Sequence, residues 1–233
     1  MAHWLKSVWR LGLILSVVML TGCLQYDVNI QFDSQTHGRL VQQLHWRGAE
    51  LATQSEWSSW LQMLSDRAAA VGGEAQLIDA QTLEIDIPFN NGPELEAKFN
   101  QFFRAQKSAP PLTILGNSPV TATLSLSQQH RFVLINNHAE IQVDLSAVPD
   151  LAQTGLPLFQ GQQLLNGHFT VTAPGVRLPT DIWGPSQTWT LMPGQINRIT
   201  ADFWVPSPIG IGAGAIALLM LIGYGLKYWL RLG

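Results

Sequence analysis

The sequence predicts an α+β fold: a mainly antiparallel β-sheet domain with two helices in its first half, followed by one C-terminal transmembrane helix. Three observations carry this expectation. Short segments of alternating apolar and polar residues recur between residues 26 and 204. Two stretches before residue 104 instead space their apolar residues as an amphipathic helix does. Residues 203–226 form a run of 24 without a charge, long enough for a tilted crossing of a ~30 Å hydrocarbon core.

The chain starts with Lys6 and Arg10 and no acid, and residues 11–20 are almost wholly apolar. This is the basic region and short hydrophobic region of a signal peptide, too short to span a bilayer. It ends at Leu20-Thr21-Gly22-Cys23. That segment resembles the bacterial lipobox, in which the thiol is diacylglycerated and the chain is cut just before it. Cys23 is the only cysteine, so no disulfide can form within the chain. At the end of the hydrophobic region it reads as a lipid attachment site; the competing reading is a buried free thiol.

Tyr26, Val28, Ile30 and Phe32 alternate on one face of a first strand, and a turn over 33–38 leads to a second strand over 40–46. Thr53-Gln-Ser-Glu56 reads as a capping box. Behind it Trp57, Trp60, Leu61, Leu64, Ala68 and Val71 follow helical spacing, and Gly72-Gly73 ends the helix. Strands are expected over 75–78 and 83–87. A second helix opens at Asn91-Gly-Pro-Glu94, with Pro93 in the first turn and a stripe of Leu95, Phe99, Phe102 and Phe103. Past Ala109-Pro-Pro-Leu112 the chain turns to strands over 120–126, 132–135 and 139–145, with Asn136-Asn137 as the turn between the last two. Further strands follow over 167–172 and 188–191. Met192-Pro-Gly-Gln195 then turns the chain into residues 196–204, where Ile199, Ala201 and Phe203 share a face.

The final apolar run is bordered by Phe203 and Trp204 on one side and Tyr228 and Trp229 on the other, matching interfacial aromatic belts. Lys227 and Arg231 direct the C-terminus to the cytoplasm by the positive-inside rule. All sixteen acids lie between Asp27 and Asp202, where only nine of the thirteen basic residues fall. The expected organisation is a signal peptide over 1–22, an extracytoplasmic domain over 23–205, a transmembrane helix over 206–227 and a cytoplasmic tail over 228–233. Gly210 and Gly214 form a G-x-x-x-G pair, a weak sign of a helix-packing face.

Chemistry is harder to find. No H-E-x-x-H, paired cysteines, G-x-S-x-G or P-loop occurs. His37, His45, His130, His138 and His168 fall in strands or turns. His130 and His138 flank a predicted hairpin, but a metal would need a third ligand, so no metal and no cofactor is expected. Glu84 with Asp86, and Glu94 with Glu96, are expected on solvated faces. The aromatic stripe of the two helices reads as core, with a ligand cavity as the alternative. Residues 148–161 form a Gly- and Pro-containing loop that carries Leu156, Leu158 and Phe159. Such a loop either covers the core or contacts a lipid or partner; residues 111–115 pose the same choice. The weakly charged surface gives no sign of nucleic-acid binding.

These features together resemble the LppM-like lipoproteins of actinobacteria and cyanobacteria, a family of unknown function. The resemblance rests on the lipobox, on Tyr26-Asp-Val…Phe32-Asp…His37-Gly38, and on a Trp-bearing helix that ends in Gly72-Gly73. It rests also on Trp189-Thr-Leu-Met-Pro-Gly-Gln-Ile-Asn197…Phe203-Trp204-Val-Pro-Ser-Pro208 entering a span. It implies an α/β domain of lipid-binding character, which in mycobacterial members recognises envelope glycolipids; no binding residues carry over. The Gln- and Trp-rich, Lys-poor composition suits a cyanobacterial member, which lacks those glycolipids. The expected protein is a non-catalytic membrane lipoprotein of the plasma or thylakoid membrane, bound to lipid covalently at Cys23. Its domain would bind a lipid or a membrane-protein partner, with Leu156, Leu158 and Phe159 as contacts. The alternative is a membrane-anchored hydrolase acting on envelope material.

Overall fold

In the computed structural model of the chain, residues 24–46, 54–104, 121–148 and 165–232 are described. The elements run β1 (Leu24–Ser34), β2 (His37–Trp46), α1 (Gln54–Ala70), β3 (Glu74–Asp79), β4 (Thr82–Phe89), α2 (Gly92–Phe102), β5 (Thr121–His130) and β6 (Leu134–Asp144). Further along the chain come β7 (Leu165–Arg177), β8 (Trp183–Leu191), β9 (Ile196–Pro206) and α3 (Pro208–Leu232). The α+β class and the two early helices are as expected. The strands form one sheet in the order β3-β4-β2-β1-β7-β9-β6-β5, with β8 on the other edge of β7.

The sheet is mixed. β1 and β7 run parallel, from Leu24↔Leu165 to Gln31↔Thr172, while the other pairs are antiparallel. β7 changes partner midway: its first part pairs with β1, and Gly175 and Val176 pair with Trp204 and Phe203 of β9. Its register against β8 shifts between Thr172 and Val176. A local irregularity of this kind bends a strand and lets it serve two neighbours.

Alternation decides which face is buried. Leu24, Val28, Ile30 and Phe32 of β1 join Leu40 and Leu44 of β2 and Leu83, Ile85 and Ile87 of β4 in one core. Phe32 sits at the junction, 4.7 Å from Phe203 and 5.0 Å from Phe89 between ring centroids. From α2, Leu95, Phe99, Phe102 and Phe103 enter the same core, and Phe99 approaches Phe169 of β7 at 6.4 Å. The α1/α2 stripe is thus mainly core, as the spacing suggested; the side chain of Trp57 lies outside the described residues.

Local signals place the helix ends. Gly72 has φ +73°, a left-handed conformation that a residue with a Cβ adopts at a cost, so α1 stops there. Asn91 caps α2: its Oδ1 accepts from the Glu94 N–H at 2.8 Å, and the Glu94 carboxylate accepts from the Asn90 N–H at 2.9 Å.

One expected turn is absent. Asn136-Asn137 does not turn; β6 runs straight through it, paired with β5 and β9 on either side. The reversal falls instead at Arg131–Val133, closed by the Arg131 N–H to Leu134 C=O bond at 2.8 Å. Asn137 is buried, accepting from Gln128 Nε2 at 2.7 Å and donating to the Ile135 carbonyl at 3.1 Å. Its amide satisfies an interior network, and strand pairing on both sides overrides the turn preference of the pair.

Candidate functional site

Three segments meet at the start of β1. Leu24 pairs with Trp46 on one side and with Leu165 on the other, and all three are buried. β2 therefore ends, and β7 begins, beside Leu24, the residue that follows Cys23 in the sequence. Val148, the last described residue before Leu165, is also buried, with its N–H donating to the Leu145 carbonyl at 2.9 Å. Cys23, Leu156, Leu158 and Phe159, like residues 111–115, lie outside the described residues.

Two residues further along, the core face carries a polar group. The Tyr26 hydroxyl donates to Gln42 Oε1 at 2.7 Å, and Gln42 is fully buried with no partner for its Nε2. Enclosure of the hydroxyl raises the Tyr26 pKa well above that of free tyrosine, and the nearby Arg67 offsets this only in part. Partial burial lowers the Arg67 pKa; its Nη1 donates to the Phe102 carbonyl at 3.3 Å.

The histidines do not assemble a centre. His130 is opposite Ile135 and His138 opposite Ser127, so the two histidines that flank the predicted hairpin do not face each other. His138 instead contacts Asp202 at 2.6 Å and Glu140 at 3.5 Å; the hydrogen bond to Asp202 raises its pKa above the usual histidine value. His168 contacts Asp27 at 2.9 Å and His45 contacts Thr82 at 2.9 Å. Among the described residues no group of three or more His, Cys, Asp and Glu is placed to hold a metal ion.

The carboxylates expected on solvated faces are partly buried and bonded. Glu84 accepts from Gln43 at 2.8 Å, and Asp86 pairs with Arg39 at 3.5 Å. Glu94 pairs with Lys98 at 2.9 Å. Glu96 accepts from the Leu126 N–H at 3.0 Å. For Glu84, Asp86 and Glu96 the partners lie on neighbouring strands, which alternation along a single segment does not reveal; Glu94 pairs within its own helix.

At the opposite end of the domain β9 passes into α3 through a cap. Ser207 accepts the first helical bond from Ile211 at 2.9 Å, and its Oγ accepts from the Gly210 N–H at 3.3 Å. Pro208 occupies the first helical position, where a missing N–H costs nothing. The Ser207 N–H donates to the Val133 carbonyl at 2.9 Å, which ties the β5–β6 hairpin to the helix. Pro208–Tyr228 is long and apolar enough to cross a membrane, and none of its apolar window is buried. The sequence reading missed Phe132, which is exposed at the hairpin tip; continuous strands on both sides of residues 131–133 were the signal.

The family described as "Protein of unknown function (DUF3153)" matches residues 28–230. No curated protein matches the chain, and no solved structure does.

Proposed function

We propose that this chain, which belongs to the DUF3153 family, is a membrane lipoprotein of the LppM-like kind whose domain binds a lipid or a membrane-protein partner without catalysis. In this reading Cys23 carries the acyl chains and α3 spans the membrane. Lys227 and Arg231 keep its end in the cytoplasm, so the acidic domain lies outside. The observation that supports the binding role best is the pairing of Leu165 with Leu24. It starts β7 beside the residue that follows Cys23, and the apolar segment 149–164 directly precedes β7 in the sequence. Large apolar groups so close in sequence to that point, Leu156, Leu158 and Phe159, suit recognition of a lipid or of a protein embedded in it.

The test is affinity isolation of the full chain from its membranes in mild detergent, with co-purifying lipids and proteins identified by mass spectrometry. A lipid enriched over the bulk membrane, or a stoichiometric protein, is expected. It should be lost when Leu156, Leu158 and Phe159 are all replaced by Ser. An eluate of bulk lipid composition with no protein would refute the binding role, and turnover of envelope material by the purified chain would replace it with the hydrolase.

A further inference from the structure

The tip of the β5–β6 hairpin is apolar, exposed and seated on the candidate span. Phe132 is 67 % exposed and Val133 43 %, an unusual pair to leave at the end of a hairpin in water. Their placement relative to α3 is set by close contacts. Gly210 lies so near the Phe132 carbonyl that a Cβ there would coincide with it, and a Cβ on Gly214 would meet the Phe132 ring at 3.3 Å. The G-x-x-x-G notch is therefore filled from within the chain, by a strand hairpin.

Depth follows from the helix. Gly214 is six residues past Pro208, about 9 Å along the axis at 1.5 Å per residue. Phe132, with its carbonyl at Gly210 and its ring at Gly214, is thus level with the first two turns of the span. Apolar side chains of surface-bound segments sit about 5–10 Å into the boundary between headgroups and acyl chains. Behind the tip, Arg131 and His130 are exposed, at the level where a cation meets lipid phosphates.

We propose that the β5–β6 hairpin tip is a second membrane-embedded element: Phe132 and Val133 contact acyl chains beside α3, and Arg131 contacts the phosphates. This rests on α3 being a span. Its consequence is mechanical. The domain is clamped to its span at two points, Ser207 and the tip, and does not swing on a linker; the notch face of the upper helix is closed to other helices.

The chain has a single cysteine, so a Cys23→Ser background leaves an introduced thiol unique. Nitroxide labels at Val133→Cys, Met220→Cys and Ser127→Cys would be read in the full chain, in vesicles of phosphatidylcholine and phosphatidylglycerol. The quantity is accessibility to oxygen, which concentrates in lipid, against a water-soluble nickel chelate. Position 220 is expected in lipid and 127 in water, with the oxygen-to-nickel ratio at 133 several-fold above that at 127. Adding Gly210→Leu should drive 133 toward the value at 127 without moving 220. If 220 is in lipid but 133 behaves as 127, the clamp is wrong and the span stands. If 220 itself is open to the nickel chelate, the span reading fails and takes the clamp with it. If Gly210→Leu leaves 133 in lipid, the notch does not seat the tip.

Discussion

Gln42 poses the sharpest energetic question in the core. Its Oε1 is satisfied by Tyr26, while its Nε2 is buried without a partner; leaving such a group unpaired costs about 1–3 kcal/mol. Tyr26→Phe should therefore destabilise the domain by a similar amount, about 1–3 kcal/mol, because it strands the other end of the amide as well. Tyr26→Phe with Gln42→Leu removes both polar groups and should return stability to the wild-type level or above it. Denaturant titration of the full chain in detergent measures the cycle, and additivity of the two single changes would show that the pair is uncoupled. His138 gives a pH signature. Its folded pKa is raised by Asp202, so the contribution to stability is complete below the unfolded value of about 6.5. It is lost as pH rises through the higher folded value. The site is nearly half exposed, which limits the effect to about 0.2–1 kcal/mol. The stability gap between wild type and His138→Gln should close with rising pH across that window; a gap that widened would reverse the sign of the pairing.

Among the elements, α2 shows how a helix closes a sheet. β5 ends the strand order, and an uncovered edge presents unpaired N–H and C=O groups to other chains. Asn100 of α2 covers that edge with both ends of its amide: Oδ1 accepts from the Leu124 N–H and Nδ2 donates to the Leu124 carbonyl, each at 2.8 Å. Glu96 accepts from the next N–H along that edge, that of Leu126. The helix thus supplies side-chain atoms where a further strand would supply backbone. Asn100→Ala is expected to cost about 1–3 kcal/mol and to raise self-association, read together by denaturant titration and light scattering. Unchanged stability with no association would mean that water replaces the amide without loss. The stripe Leu95, Phe99, Phe102 and Phe103 was legible because it repeats within one helix. The sealing role of Glu96 and Asn100 was not, because both look like ordinary polar positions until β5 is beside them.

For the whole molecule, the two proposed anchors constrain how the domain sits. β1 is 11 residues long, about 33 Å from end to end. Its Phe32 end packs on Phe203, four residues before Ser207, while Cys23 lies next to its other end. An acyl chain at Cys23 and a span at α3 enter the same leaflet only if β1 lies along the membrane surface. Cys23→Ser should abolish fatty-acid labelling yet leave the chain in the membrane fraction, since the helix holds it far more strongly than acyl chains do. Labelling equal to wild type would end the lipoprotein reading. Protease added outside spheroplasts should digest the domain and spare a C-terminal tag. A tag lost with the domain would reverse the topology.

The sequence by itself determined what short windows encode. The apolar run of α3, the stop at Gly72, the cap at Asn91 and the inward faces of β1 and β9 each follow from composition or period within one segment. The parallel pairing of β1 with β7 joins residues as far apart as Asp27 and His168, 141 positions, and no local period carries such a partner. The tertiary structure alone decided that pairing, which sets Leu165 beside Leu24. It also decided the turn at Arg131–Val133 in place of Asn136-Asn137, and the seating of Phe132 on Gly210 and Gly214. In each case the energy comes from hydrogen bonds and packing between distant segments, and it outweighs the local preference of the residues that make them.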